Sequence, residues 1–198
     1  MSPPLDLAAL GACGAHQHGH FLLSSGLHSA DYLQCALLLA RPWQAESAGQ
    51  ELAAVVRSAG LTPQLVVSPA LGGVVIGHEV ARSLRVPSFF SERSEGRMAL
   101  RRGFAVAAGT RTLVVEDVVT TGKSTREVIA LLQAAGAEAV GVASIVNRSD
   151  TDKPFAPLPF LSLLELSFPT WPPEECPLCA AGGPPAVKPG SRPGPHSG

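Results

Sequence analysis

Between residues 65 and 148 the chain alternates short apolar runs with longer helix-patterned segments, and this rhythm constrains the fold more than any other feature. LVVSP (65–69), SFFSER (88–93), TLVVEDVV (112–119) and AVGVASIVNR (139–148) read as strands. GGVVIGHEVARSL (72–84) and KSTREVIALLQAAG (123–136) read as helices. Crossovers of ten or more residues between strands imply right-handed connections, and hence a central parallel sheet flanked by helices on both faces. An α/β sheet of this kind takes its ligands beyond the carboxyl ends of its strands.

Around this centre, residues 43–59 carry a helical period that stops at Gly60, and residues 5–13 suit a short helix. SEGRMALRRGFAVAAGTR (94–111) is rich in arginine and glycine and reads as a hairpin or mobile loop. We divide the chain into an N-terminal segment (1–42), a core (43–168), a C-terminal segment (169–182) and a proline- and glycine-rich tail (183–198) expected to be disordered. The 198 residues, 45% of them apolar, suffice for one well-filled domain. No internal repeat is visible.

A formal net charge of −1 offers no broad electrostatic footprint for nucleic acid or an anionic membrane. Any anionic ligand must be gripped locally. The N-terminus lacks a basic region ahead of its apolar part, and no apolar run approaches the roughly 20 residues of a membrane span. Four cysteines are too few for a disulfide scaffold in a chain able to build its own core. Reduced thiols and a cytoplasmic protein are the expectation.

The chemistry concentrates in LVVEDVVTTGKSTREV (113–128). Its Gly-Lys-Ser-Thr raises the question of a nucleotide triphosphatase loop, which needs a glycine five residues before Gly122 so that backbone can curl around the phosphates. Asp117 stands there, and a carboxylate is the wrong chemistry for that place. A strand that delivers Glu116 and Asp117 at its carboxyl end, then Thr120-Thr121-Gly122-Lys123-Ser124 opening a helix, makes a different site. Free N–H groups at the helix start cup one phosphate, hydroxyls line the cup, and the carboxylates one step earlier accept hydrogen bonds from a diol. The motif asks for a sugar phosphate. Lys123 adds charge to the cup or sits on the solvated face of the first turn.

Strand, acidic pair, Thr-Thr-Gly-x-Ser and helix together resemble the phosphoribosyl pyrophosphate (PRPP) signature of the type I phosphoribosyltransferases. The resemblance implies that fold, with a small N-terminal hood over the parallel sheet. It also implies that Glu116 and Asp117 hold the ribose hydroxyls, that Thr120, Thr121, Gly122, Lys123 and Ser124 hold the 5-phosphate, and that Val118 and Val119 between them are among the PRPP-binding residues. VSPALGGVVIG (67–77) is similar to the family's pyrophosphate loop, which implies PRPP contacts at Ala70, Gly72 and Gly73, with Gly72 in place of a frequent lysine.

HFLLSSGLHSADYLQ (20–34) resembles the hood of the orotate phosphoribosyltransferases through Phe21, Ser25, Gly26, Ser29, Tyr32 and Gln34. It departs from them at Ser24, where many members carry a basic residue. IVNRS places Arg148 where the family pairs an arginine with orotate. The resemblance therefore implies orotate contacts from Ser25, Tyr32, Thr120 and Arg148. It implies Mg²⁺ held mainly by PRPP, with no direct protein ligand assigned. FFSERSEGRMALRRGF resembles the catalytic loop of a bacterial and archaeal branch. Arg93, Arg97, Arg101 and Arg102 would then act with Asp117 in catalysis, the loop closing over the site of a partner subunit in a homodimer. Arginine cannot titrate usefully near neutral pH, so these side chains suit electrostatic stabilisation rather than general acid work.

The activity implied is transfer of ribose 5-phosphate from PRPP to orotate, giving orotidine 5′-monophosphate and pyrophosphate in pyrimidine (UMP) biosynthesis. A purine-type phosphoribosyltransferase and a PRPP-sensing regulatory protein are the rival readings. The hood motif and Arg148 speak against the first, and the missing basic face speaks against the second. Cys176-x-x-Cys179, with Cys13, His16, His18 and His20 near the other end, contains the makings of a zinc site. One such pair alone does not fix a metal, and the simpler expectation is a C-terminal segment tucked against the hood.

Overall fold

A computed structural model describes residues 5–23, 25–151 and 153–189. Its centre is a six-stranded sheet in the order β5-β4-β3-β6-β7-β8. The strands are β3 (Leu65–Pro69), β4 (Ser88–Ser94), β5 (Arg97–Leu100), β6 (Arg111–Val119), β7 (Glu138–Asn147) and β8 (Phe160–Glu165). β4, β3, β6, β7 and β8 are parallel, and β5 returns antiparallel to β4 as a hairpin. Residues 94–111 are thus a hairpin arm followed by a loop, the first of the two expectations for that segment.

The period of two in each strand divides the core. Val66, Leu113, Val115 and Ile145 turn to the face covered by α3 (Pro42–Ser58) and α4 (Gly72–Leu84). Leu65, Val67, Val114 and Val142 turn to the face covered by α5 (Lys123–Ala134), through Val128, Ile129 and Leu132. Every residue of β3 is buried, as a strand covered on both sides requires. α3 starts with Pro42 in its first turn and buries Ala45, Ala48, Gly49, Leu52, Ala53 and Val56, a stripe at helical spacing. Small residues there let the two helices approach, and the backbone of Gly49 lies against Glu79 of α4.

The N-terminal segment comprises α1 (Leu7–Ala12), β1 (His16–Leu22), β2 (His28–Leu33) and α2 (Cys35–Leu39). Leu10, Cys13, Leu38 and Leu39 belong to the same apolar cluster as α3 and α4, so the hood's base is continuous with the core. β1 and β2 form an antiparallel ribbon with an irregularity between His18 and Phe21. The third strand of this small sheet, β9 (Thr170–Trp171), comes from the far end of the chain and pairs with β2. The 3-10 turn Pro173–Glu175 and α6 (Pro177–Ala180) follow.

The tail departs from expectation between 184 and 189. Val187 donates its N–H to His20 O at 2.8 Å and accepts from Leu22 N at 2.9 Å, bridging to Phe21. Unpaired backbone on β1 supplies what a composition poor in apolar residues cannot. Residues 190–198 of the expected disordered tail, and Ser24, lie outside the described residues.

A side chain at Gly49 would meet the Cβ and backbone of Glu79. Gly49→Val is therefore expected to destabilise the fold by about 2 kcal/mol or more, the scale of core overpacking. A midpoint of thermal unfolding several degrees below the parent would register it.

Candidate functional site

β3 and β6 stay paired as far as Val67 and Val114, after which β6 continues beside β7 alone. Past that point the chain carries Glu116 and Asp117 into the opening beside the turn from β3 to α4. A Cβ on Gly72 would lie 2.6 and 2.7 Å from the two carboxylate oxygens of Asp117. Glycine at this position, in place of a longer residue, lets the turn's bare backbone face the carboxylate. Gly73 is equally confined, its missing Cβ 2.8 Å from Val115 O. Ala70 is anchored through its N–H to Ser91 O at 2.8 Å, and the Ala70–Leu71 peptide is cis.

At the other side of Asp117, β6 runs into the turn Thr120–Gly122 and then α5. Gly122 has φ +68° and forms the N-cap of α5, where Phe155 leaves no space for a side chain. Among the described residues neither N-cap side chain of α4 or α5 makes a capping hydrogen bond, and Lys123 N reaches only Thr121 Oγ1 at 3.4 Å, so the first turns present N–H groups to the opening. Glu116, Val118, Val119, Thr120, Thr121, Gly122, Lys123 and Ser124 line a cup of about 100 Å³ over the start of α5.

A larger cavity of about 530 Å³ adjoins this cup. The hood contributes Ser25, Tyr32 and Gln34, β6 and its turn contribute Asp117, Val118, Thr120 and Thr121, and the end of β7 contributes Arg148. Thr120 and Thr121 line both spaces and join them. The backbone of Arg148 is held by donation to Val119 O at 2.8 Å. Its guanidinium lies 4.9 Å from the centre of the Phe168 ring, and its buried Nε has no hydrogen-bond partner among the described residues. Burial lowers its pKa, opposed by the charges of Asp31 and Asp150 and by Tyr32. A guanidinium partly drawn out of water and incompletely paired gains from an anion that supplies the missing acceptors.

The acidic pair is less charged than two carboxylates imply. Burial, then the negative charge of Asp117, pushes the Glu116 carboxyl up to about 9. Its Oε2 is buried without a hydrogen-bond partner. Glu116 is therefore protonated at neutral pH, able to donate one hydrogen bond and accept others. Burial also raises the Tyr32 hydroxyl, with Asp117 adding to the effect, which keeps it a neutral donor at the cavity wall.

The structure thus gathers the residues of both expected binding loops, together with Ser25, Tyr32, Thr120 and Arg148. The four loop arginines lie elsewhere, on the β4–β5 hairpin and the chain that follows it, and are not among the residues lining either of these two cavities. Arg102 forms a two-pronged pair with Glu92 at 2.9 and 2.8 Å, and Arg93 pairs with Glu127 at 2.7 Å. Arg97 and Arg101 form no ion pair among the described residues. Phe168 and Lys188 are cavity residues that sequence reasoning missed. Lys188 lies in a Pro/Gly-rich stretch with no periodicity to mark it, whereas the apolar run before Phe168 was a readable strand signal.

Residues 43–156 match the family described as the phosphoribosyl transferase domain. The chain is 53% identical to the orotate phosphoribosyltransferase of Carboxydothermus hydrogenoformans over 174 residues, covering 88% of this chain and 90% of that one. It is 51% identical to the orotate phosphoribosyltransferase of Thermotoga petrophila over 179 residues, covering 90% and 94%. Among solved structures it is similar to the orotate phosphoribosyltransferase of Aeropyrum pernix, with a TM-score of 0.70 and 25% identity over 80% of this chain and 92% of that one.

Glu116 also sets a pH dependence. The folded chain raises its pKa from 4.5 to about 9, so the stability tied to its protonated form is complete below pH 4.5 and is lost as pH rises towards 9. Glu116→Gln removes that titration. The variant is expected to unfold several degrees above the parent at pH 8 and close to it at pH 5, in thermal melts across that range.

Proposed function

The chain belongs to the orotate phosphoribosyltransferases, and from that premise we propose how its two adjoining cavities divide the reaction between them. The enzyme transfers ribose 5-phosphate from PRPP to orotate, giving orotidine 5′-monophosphate and pyrophosphate in pyrimidine biosynthesis. The single observation that carries the division is that Thr120 and Thr121 line both the cup at the start of α5 and the cavity holding Arg148. A phosphate in the first space and a planar acidic base in the second are then spanned by one ribose.

The 5-phosphate occupies the cup, where free N–H groups of the first turn of α5 and the hydroxyls of Thr120, Thr121 and Ser124 receive it. Val118, Val119 and Gly122 shape the wall, and Lys123 adds charge at the rim. Glu116 and Asp117 take the ribose hydroxyls: protonated Glu116 donates and accepts, while the oxygens of Asp117 accept. Orotate lies in the larger cavity, its acidic edge on the Arg148 fork, with Tyr32, Ser25 and Thr120 as further polar partners. Phe168 holds the guanidinium plane in place.

The diphosphate meets the backbone of Ala70, Gly72 and Gly73. Asp117 lies against that turn, so a hard oxygen donor and the exposed backbone share one small space. This donor set fits a Mg²⁺ ion carried mainly by PRPP, with Asp117 the side chain that would hold it. When bound, the ion neutralises the diphosphate and eases its departure. As that bond breaks, positive charge develops on the ribose C1, and the carboxylate of Asp117 lies on the ribose side of the opening. Positioning and charge compensation supply most of the acceleration in such a displacement.

The hairpin arginines act in a homodimer. Arg97 and Arg101, without ion-pair partners among the described residues, are the two best placed to reach the diphosphate in a neighbouring subunit. Arg93 and Arg102, tied to Glu127 and Glu92, brace the arm. None of the four cysteines is in a disulfide, in keeping with a reducing cytoplasmic compartment.

With PRPP and Mg²⁺ the purified protein is expected to consume orotate, followed by loss of orotate absorbance. Turnover with a purine base and none with orotate would overturn the assignment. Arg148→Lys keeps the charge and loses the fork, so kcat/KM for orotate is expected to fall about 10- to 100-fold, the worth of one charged hydrogen bond, with the KM for PRPP little changed. Mixing inactive Arg101→Ala and Asp117→Asn chains is expected to restore activity, since one site of the mixed dimer then has both groups. A mixture no more active than its parts would show that each chain completes its own site.

A further inference from the structure

The hood holds a second constellation that the reaction does not use. His20 on β1 and His28 on β2 face each other across the ribbon, and Cys176 and Cys179 approach from the 3-10 turn and α6. One potential ligand atom from each of the four lies within 4.8 Å of all the others. His20, His28 and Cys176 are buried, and Cys179 closes the cluster from the surface.

The distances are those of a coordination shell. His20 Nε2 is 2.9 Å from His28 Nδ1, 3.5 Å from Cys176 Sγ and 3.6 Å from Cys179 Sγ; Cys179 Sγ is 3.4 Å from His28 Nδ1. A regular tetrahedron around zinc, with Zn–N of about 2.0–2.1 Å and Zn–S of about 2.3 Å, has edges of about 3.3 Å between nitrogens and about 3.6 Å between nitrogen and sulfur. The mixed edges already match, and the nitrogen pair needs to part by a few tenths of an ångström.

Hydrogen bonding alone leaves the cluster poorly satisfied. His20 Nδ1 lies 2.8 Å from Pro184 O, a carbonyl that can only accept, so Nδ1 is the donor and the Nε2 of the neutral ring presents a lone pair. That lone pair faces three atoms at once, and a single proton can serve only one of them. A cation serves all four together. A backbone carbonyl on the far nitrogen of the ring is also the usual outer-shell partner that fixes a metal-binding histidine.

We propose that His20, His28, Cys176 and Cys179 form a tetrahedral zinc site that clasps the C-terminal segment to the hood. Two nitrogens and two thiolate sulfurs fill four-coordinate zinc, which makes the site structural. Cys13, His16 and His18, the other residues near the N-terminus suggested for such a site, are not ligands. Cys13 Sγ is turned to Leu10 O, and His16 and His18 both reach Asp31 at 2.8 Å. His28 is the ligand that the sequence did not single out.

The consequence reaches the substrate cavity. Pro184, bonded to His20, leads directly to Val187, which pairs with β1, and to Lys188 and Pro189 on the cavity wall. Zinc therefore fixes the strap that walls one side of the larger cavity. This inference rests on the hood's geometry and not on the assigned reaction.

Full-length protein purified without a histidine tag is expected to carry one zinc per chain by elemental analysis. A mercurial reagent should release it in step with modification of two thiols. Cobalt reconstitution should give the thiolate charge-transfer band and the intense visible absorption of a tetrahedral ion. Cys179→His keeps four ligands and should retain the metal, His28→Ala should lose it, and His16→Ala should keep it. Stripping the parent with a chelator should expose the chain beyond residue 168 to limited proteolysis while the core persists. Protein free of zinc as purified that also fails to take up stoichiometric zinc or cobalt under reducing conditions would overturn the proposal, as would zinc retained in full by His28→Ala.

Discussion

Burial of the central sheet on both faces is the constraint from which the rest of this structure follows. β3 and the middle of β6 and β7 are wholly enclosed, one side against α3 and α4 and the other against α5. Polar chemistry on those faces would cost several kcal/mol per unpaired group. It is displaced to the carboxyl ends, where strands stop and helices begin. There the unpaired N–H groups of α4 and α5 point into the same opening as Glu116 and Asp117, and anion binding comes with the architecture rather than with added charge. A chain of net charge −1 is no obstacle to a polyanionic substrate when backbone dipoles and a few placed side chains supply the anion site.

The same enclosure tunes the side chains at the opening. Glu116 is raised to about 9 because water is excluded and Asp117 stands beside it, and Arg148 is lowered because its guanidinium is half withdrawn from solvent. Both are held in states that an incoming polar ligand relieves. Gly72, which at first looks like a lost lysine, is the residue that lets the β3–α4 turn come against Asp117. Its value lies in the side chain it lacks.

The hood depends on the C-terminal end of the chain. β9 pairs with β2, Ser29 Oγ donates to Pro169 O at 3.0 Å, His16 stacks on Phe168, and Val187 pairs with β1. A two-stranded ribbon rich in histidine has too little apolar surface to persist unsupported. Residues 167–189 supply the third strand, the aromatic partner of Arg148 and one wall of the larger cavity, so that cavity is assembled from both ends of the sequence.

The central sheet, its helices and the cup at the start of α5 were legible in the sequence because each is local. The period of two or 3.6 marks an element within a dozen residues, and Glu116 to Ser124 are contiguous, so their spacing alone places carboxylates, hydroxyls and a helix start together. The hood strands were not legible, since His16, His18 and Asp31 break the apolar alternation that marks a strand, whereas β8, an apolar run longer than β3, carries a readable signal. The sequence by itself determined the fold class, the turns that open α4 and α5, and Arg148 at the end of its strand. Only the tertiary structure decided that Glu116 keeps its proton, that His28 rather than His16 or His18 joins the cysteine pair, and that Lys188 borders the cavity. Each of these depends on burial or on distances between residues far apart in the chain, and neither is a property of any short stretch of sequence.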